Sequence, residues 1–183
     1  MRLQTDLLDV DRALTRQVAS RIPSGVAKAL SAVEESAESS KLWCGAAAAM
    51  AWRGGVRGRK AAAAGLVAMV VAQLASNGLC KQLADRPRPP AEWIPHDEVA
   101  DRPDSSSFPS GHTAAAVAFT AAVAPTWPAA GALCAVPTAL VAVERVQSGA
   151  HYPSDVAAGA AIGLAGAWLA RRAPALLLRV LLH

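Results

Sequence analysis

The sequence predicts an all-α protein: a polytopic transmembrane helical bundle of about five crossings, preceded by amphipathic N-terminal helices. Three observations predict it. Hydrophobic residues make up 53% of the 183-residue chain and charged residues only 17%, against about 25% charged in an ordinary soluble domain. The apolar residues gather into five runs separated by polar stretches. Clusters of basic residues sit at the ends of two of those runs, at 53–60 and 171–172.

Residues 1–40 read as a separate amphipathic unit ahead of a membrane domain at 41–183. Leu7, Leu8, Val10, Leu14, Val18 and Ile22 recur at roughly helical spacing. Pro23-Ser24-Gly25 breaks that helix. A second pattern, with Val26, Leu30 and Val33, ends near Glu34, Glu35 and Glu38. The unit holds five basic and six acidic residues, so it pulls toward neither sign of partner. It is expected to pack on the bundle or lie at the membrane surface. The first twenty residues lack an apolar core, so no cleavable signal peptide is expected.

The first run, Leu42 to Trp52, is short for a span of about 20 residues. Arg53, Arg57, Arg59 and Lys60 follow in a Gly-rich loop. The second run is Ala61 to Cys80, and Gln73, Ser76 and Asn77 near its end point to packing against other helices. A polar loop with six prolines fills 81–111. The third run opens at Ala114 and closes at Val123, and Pro125-Thr126-Trp127-Pro128 turns the chain. The fourth is Ala129 to Val143. The fifth, Val156 to Ala170, carries Gly159, Gly163 and Gly166, small enough for close helix contact. Arg171 and Arg172 are expected to end it, with Leu176 to Leu182 as a short interfacial tail.

Four crossings separate the two basic clusters, so both lie on one side, and the positive-inside rule makes that side cytoplasmic. Loops 81–111 and 144–155 then face the other side of a cell membrane. Cys44, Cys80 and Cys134 are odd in number and fit no metal spacing. They read as small buried residues.

The chemistry-bearing residues lie in those two loops. In Pro109-Ser110-Gly111-His112, Pro109 stops any arriving helix and Ser110 is a favoured N-cap. The unpaired N–H groups and dipole of the new helix suit an anion such as phosphate. His112 falls in its first turn. Pro153 is placed to start another helix. His151 then precedes that helix and Asp155 falls in its first turn, from where the carboxylate can reach back to one imidazole nitrogen and leave the other nucleophilic. A plainer reading has Asp155 capping its helix beside a packed His. Lys81, Arg88 and Arg145 suit phosphate oxygens. Arg86 and Arg102 read as cations without a matching partner.

Lys81-x6-Arg88-Pro89, then Pro109-Ser110-Gly111-His112, then Arg145-x5-His151-x3-Asp155 resemble the three signature motifs of the type 2 phosphatidic acid phosphatases, whose superfamily includes the vanadium haloperoxidases. The resemblance spans 81–155 and leaves the first 40 residues uncovered. It implies that His151 attacks phosphorus and forms a phosphohistidine, that Asp155 orients it, and that His112 protonates the leaving oxygen and then activates water. It implies that Lys81, Arg88, Ser110, the Gly111 amide and Arg145 hold the phosphoryl oxygens. No metal and no cofactor is expected. One departure stands out: the family commonly has Ser before the third-motif Arg, and this chain has Glu144.

The expected function is therefore an integral membrane lipid phosphatase acting on a phosphomonoester or pyrophosphate of a phospholipid or polyprenyl lipid. The alternative is a catalytically silent phospholipid-binding membrane protein. A haloperoxidase is disfavoured because those relatives are much larger and lack apolar crossings. The expected partners are a membrane lipid phosphate and the bilayer, not nucleic acid, and the oligomeric state stays open. Head-group choice is expected from loop 90–108, including Trp93, His96 and Asp97; Arg102 and Asp104 are either head-group contacts or, as is commoner for loop charges, simply solvated.

Overall fold

The computed structural model describes residues 2–94 and 105–181, and these are helical with no strand among them. The longer helices are α1 (Arg2–Arg21), α2 (Ser24–Ala37), α3 (Lys41–Arg53), α4 (Gly55–Leu83), α5 (Gly111–Val123), α6 (Pro128–Gln147) and α7 (Pro153–Leu181). Short 3₁₀ turns occupy Glu38–Ser40 and Ala91–Trp93. Pro23 stands as the extended N-cap of α2, which explains the break between the first two helices.

Among the described residues, α4 and α6 are long and apolar enough to cross a membrane. The 13 residues of α5 would rise about 20 Å, short of the ~30 Å hydrocarbon core. The five crossings expected from the sequence are thus not established by length and composition. The Gly-rich loop expected at 53–60 contracts to Gly54-Gly55, where Gly55 adopts φ +55°. Arg57, Arg59 and Lys60 fall in the first turns of α4 instead. Arg57 Nε donates to the Thr126 carbonyl at 2.8 Å, so this basic cluster and the Pro125–Pro128 turn share one end of the bundle. The backbone of α7 runs on through Arg171-Arg172 rather than stopping there, as befits a residue of good helix propensity.

The centre of the fold is α5, packed between α4 and α7 and flanked by α6. Phe119, buried completely, meets Trp43 of α3 with ring centroids 5.4 Å apart. Met50, Met69 and Val123 fill the space around them. Gly159 and Gly163 face the Ser110 and Ala114 carbonyls so closely that any Cβ would collide with them. Those two glycines seat the start of α5 against α7.

Burial shows which face of α1 meets the bundle and corrects the reading of two cysteines. On α1 the Leu7, Leu8, Val10 and Leu14 side is exposed, and the face of Asp11, Thr15 and Ala19 is turned inward. Asp11 finds cationic and hydroxyl partners only there, and such partners offset the cost of burying a charge. Of the cysteines, Cys134 is buried, Cys80 half-buried and Cys44 exposed, all free thiols.

Candidate functional site

The site is assembled at the end of the bundle where α4 stops and α5 and α7 begin. Ser110 caps α5: its Oγ accepts from the Thr113 N–H at 3.4 Å and meets the Thr113 hydroxyl at 3.0 Å. The Phe108–Pro109 bond preceding it is cis. The Ser110 N–H donates to the Asp155 carbonyl at 3.0 Å, which joins the second motif to the third. Gly111 has the side-chain amide of Asn77 against its Cα, leaving no room for a Cβ. Asn77 lies in the last turns of α4, Leu74–Cys80, which widen to i→i+5 pairing. Such wide turns recur at functional positions.

His151 precedes α7, as expected, and is 3% exposed. Its Nδ1 lies 2.6 Å from the Ser107 carbonyl and 3.9 Å from Asp155 Oδ2. The imidazole is therefore oriented by a backbone carbonyl, not by the carboxylate expected from the spacing. Asp155 Oδ2 accepts from the Tyr152 N–H at 2.8 Å instead. Pro153 opens α7, so Tyr152 is the residue before its first turn, and an acidic side chain three positions on is placed to satisfy that N–H. A carbonyl oxygen can only accept, so Nδ1 must carry the proton of the neutral ring and Nε2 holds the lone pair. Burial, then the positive charges of Arg88, Arg145 and Lys81, hold the His151 pKa well below 6.5, against the Ser107 bond that raises it. The ring is neutral at pH 7.

The cations converge as the motifs anticipate. Arg88 Nη1 donates to the Ala150 carbonyl at 2.6 Å, which fixes it to the His151 loop. Arg88 Nη2 and Lys81 Nζ both reach Ser105 Oγ, at 3.4 and 3.5 Å. Arg145 is held by two carboxylates, its guanidinium 2.5 Å from Glu144 Oε2 and 2.9 Å from Glu34 Oε1. The same Glu34 oxygen stands 3.5 Å from His112 Nε2. Lys81, Arg88, Ser110, Gly111, His112, Arg145, His151 and Asp155 are thus brought together.

Arg86 is not the partnerless cation the sequence suggested. Its Nη1 lies 2.5 Å from Asp155 Oδ1 and 2.7 Å from Ser154 Oγ, and its Nη2 lies 2.7 Å from Asp11 Oδ2. Asp11 also accepts from the Ser154 N–H and hydroxyl. Sequence reasoning missed Asp11, Glu34, Arg86 and Ser107. The signal for the first was an acid in i, i+4, i+8 register with Thr15 and Ala19. For Ser107, a carbonyl partner, no side-chain signal exists. Trp93 carries Arg16 over its ring at 4.0 Å from the centroid. His96, Asp97, Arg102 and Asp104 lie outside the described residues.

Comparison with known proteins bears on this arrangement. The PAP2 superfamily profile matches residues 62–178. Over 60 residues the chain is 48% identical to the lipid A 1-phosphatases of Rhizobium etli and Rhizobium johnstonii, a stretch covering 31% of this chain and 25% and 23% of those proteins. The fold matches a crystal structure of a transmembrane PAP2-type phosphatidylglycerolphosphate phosphatase from Bacillus subtilis, with TM-score 0.68, 21% identity, and coverage of 91% of this chain and 85% of that one. It also matches Aquifex aeolicus LpxE, with TM-score 0.70, 21% identity, and coverage of 87% and 93%.

Proposed function

Because the chain belongs to the PAP2 superfamily, we propose that it is a membrane lipid phosphatase working through a phosphohistidine at His151. The observation that carries the proposal is the neutral His151, with Nδ1 committed to the Ser107 carbonyl and its Nε2 lone pair directed by that bond, among Lys81, Arg88 and Arg145.

The phosphoryl group sits on Lys81, Arg88, Arg145, Ser110 and the Gly111 amide. Nε2 of His151 attacks phosphorus, and the N–P bond forms as the P–O bond to the leaving group breaks. Burial, then Arg145, Lys81 and Arg88, hold the His112 pKa at about 4 in the free site, so His112 takes up a proton with the phosphoryl anion, which offsets those charges, and gives that proton to the departing oxygen. Neutral His112 then takes a proton from water, the resulting hydroxide attacks phosphorus, the N–P bond breaks and inorganic phosphate leaves. Three cations and a helix N-terminus supply the charge stabilisation a metal would otherwise bring, so the reaction is metal-independent. Asp155 acts through its loop: it holds the Tyr152 amide and, through its backbone, Ser110.

The site opens on the extracytoplasmic face of the plasma membrane. This follows from the positive-inside rule applied to Arg53, Arg57, Arg59, Lys60, Arg171 and Arg172. The substrate is a phospholipid or polyprenyl lipid bearing a phosphomonoester or pyrophosphate. The relatives named above are a lipid A 1-phosphatase and a phosphatidylglycerolphosphate phosphatase, which supports a lipid-borne phosphate. A second reading is favoured by Arg145, which is shared by two carboxylates: a silent phospholipid binder whose anion site is already neutralised.

Phosphate release from phosphatidic acid, phosphatidylglycerol phosphate, a polyprenyl pyrophosphate and a soluble phosphomonoester, with chelator present and His151→Ala alongside, separates the two. Turnover that survives chelator and is lost in the variant supports the enzyme. Folded wild type that binds lipid and releases nothing supports the binder.

A further inference from the structure

Glu34 reaches the phosphoryl site from α2, ahead of the residues that the family profile covers. Ala27, Leu30 and Ala37 are buried along that helix. Glu34 falls one turn after Leu30 and one turn before Ala37, so it is an acid set in an apolar stripe. Burying a carboxylate is costly unless a partner offsets it. In the free site Arg145 is that partner, its Nη2 donating to Glu34 Oε1 at 2.9 Å.

Substrate disturbs this pairing. Glu144 holds Arg145 more firmly, taking both Nε and Nη2 at 2.5 Å. A phosphoryl oxygen arriving at Arg145 therefore displaces the longer contact to Glu34. The Glu34 side chain, only 16% exposed, is then short of a cation. The group beside it that can become one is His112, whose Nε2 is already 3.5 Å from the same Oε1. That separation is longer than a formed hydrogen bond, as catalytic contacts often are before substrate arrives.

The chemistry of the contact fixes the ring. A carboxylate oxygen only accepts, so Nε2 carries the proton that faces Glu34 and Nδ1 keeps the lone pair. Among the described residues Nδ1 has no hydrogen-bond partner. The charges around the pair oppose each other. Arg145, Lys81 and Arg88 add to burial in holding the His112 pKa at about 4. Around Glu34, burial raises the pKa, Arg145 lowers it, and Glu144 and Glu38 raise it again. While Glu34 is committed to Arg145, His112 stays neutral. Once Arg145 turns to the phosphoryl group, the carboxylate is left to the imidazole.

We infer that Glu34 is the positioning residue for His112: its carboxylate fixes the Nε2–H tautomer and supplies the negative charge against which Nδ1 holds a proton. Nδ1 takes up that proton with the phosphoryl group. It passes the proton to the departing oxygen as that oxygen takes the electron pair of the P–O bond. The same lone pair then accepts the proton of the attacking water and releases it as phosphate leaves. The inference rests on the phosphatase reading and adds to it a residue from the N-terminal helices.

Two substrates that differ in leaving group test it, both in detergent micelles. Hexadecyl phosphate releases an alkoxide that needs an acid, and 4-nitrophenyl phosphate releases a nitrophenolate that does not. With wild type, kcat for hexadecyl phosphate should fall above the pKa of substrate-bound His112. Glu34→Gln should move that limb down by about one pH unit. It should lower kcat at neutral pH about tenfold, with KM falling too because a negative charge has left the anion site. The first-turnover rate of nitrophenolate release should stay within about threefold of wild type. Glu34→Leu, which suits the apolar stripe, should show the same limb and keeps the test open if Glu34→Gln does not fold. An unmoved limb in either folded variant overturns the assignment. An equal loss on both substrates also overturns it, since that marks a structural role. Release from neither substrate by folded wild type removes the phosphatase reading and the role of Glu34 with it.

Discussion

Arg86 and Asp155 are bound at 2.5 Å across the junction of the first and third motifs, and Asp11 of the N-terminal helix holds the far side of the same guanidinium at 2.7 Å. The cation between two acids ties α1 to the loop that carries His151. Asp155 is fully buried and Asp11 is 2% exposed, so Arg86 offsets the cost of burying both carboxylates.

Asp11→Asn should therefore impair the site from 75 residues away in sequence. Losing a charged hydrogen bond of this kind costs about 1–3 kcal/mol. Arg86→Met, which strands two buried carboxylates, should cost more, about 3–5 kcal/mol. Chemical denaturation checks both. A loss below 0.5 kcal/mol in Arg86→Met would contradict the buried-pair account.

Glu34 and Glu144 both hold Arg145, and Glu34 also faces His112. Glu34→Gln removes negative charge from the place where a phosphoryl oxygen binds. At an effective dielectric near 20 the lost repulsion is worth about 1 kcal/mol or more. KM for a dianionic phosphomonoester should fall roughly fivefold. An unchanged KM would show that Glu34 leaves the site when substrate arrives. Glu144→Ser, which restores the residue common in the family, should act in the same direction.

His151 gives the fold a pH dependence. Its pKa is held well below 6.5 by burial and by Arg88, Arg145 and Lys81. In the unfolded chain it takes up a proton below about pH 6.5, while in the native site it does not. The unfolded state binds more protons, so stability falls as pH falls through that region, by up to about 1.4 kcal/mol per unit. Glu34 works the other way: burial, which outweighs Arg145, raises its pKa, so acidification relieves its charge in the native state. Comparing wild type with His151→Gln isolates the histidine. Between pH 7 and 5.5 the melting temperature of wild type should drop further than that of the variant. Parallel curves would contradict a neutral buried His151.

The parts of the site that were legible in the sequence are the local ones. Ser110 capping α5, Pro153 opening α7 and Asp155 in its first turn follow from backbone groups a few residues apart. The convergence of Lys81, Arg88 and Arg145 was legible as motif order. Asp11 and Glu34 were not, because Asp11 meets Ser154 across 143 residues and nothing local distinguishes either acid from a solvated one. The Leu7–Leu14 stripe is the exposed face of α1, and nothing local marks the Asp11, Thr15 and Ala19 face as the one turned to the bundle. Hydrophobic periodicity gives the helix but not the partner, and here the partner is the charge on Arg86. The 53–60 loop was overdrawn because Arg and Lys are compatible with a helix, and the turn needs only Gly54 and Gly55.

The most direct test of the central claim is a burst measurement on His112→Ala with 4-nitrophenyl phosphate. Its leaving group departs without an acid, so only the hydrolysis of the intermediate should be slowed. The account predicts a burst of nitrophenolate stoichiometric with enzyme and an acid-labile phosphate recovered on His151. His151→Ala should show no burst and lose about 10⁴-fold or more in turnover. Turnover by His112→Ala with no burst and no labelled histidine, or phosphate found on another residue, would contradict it.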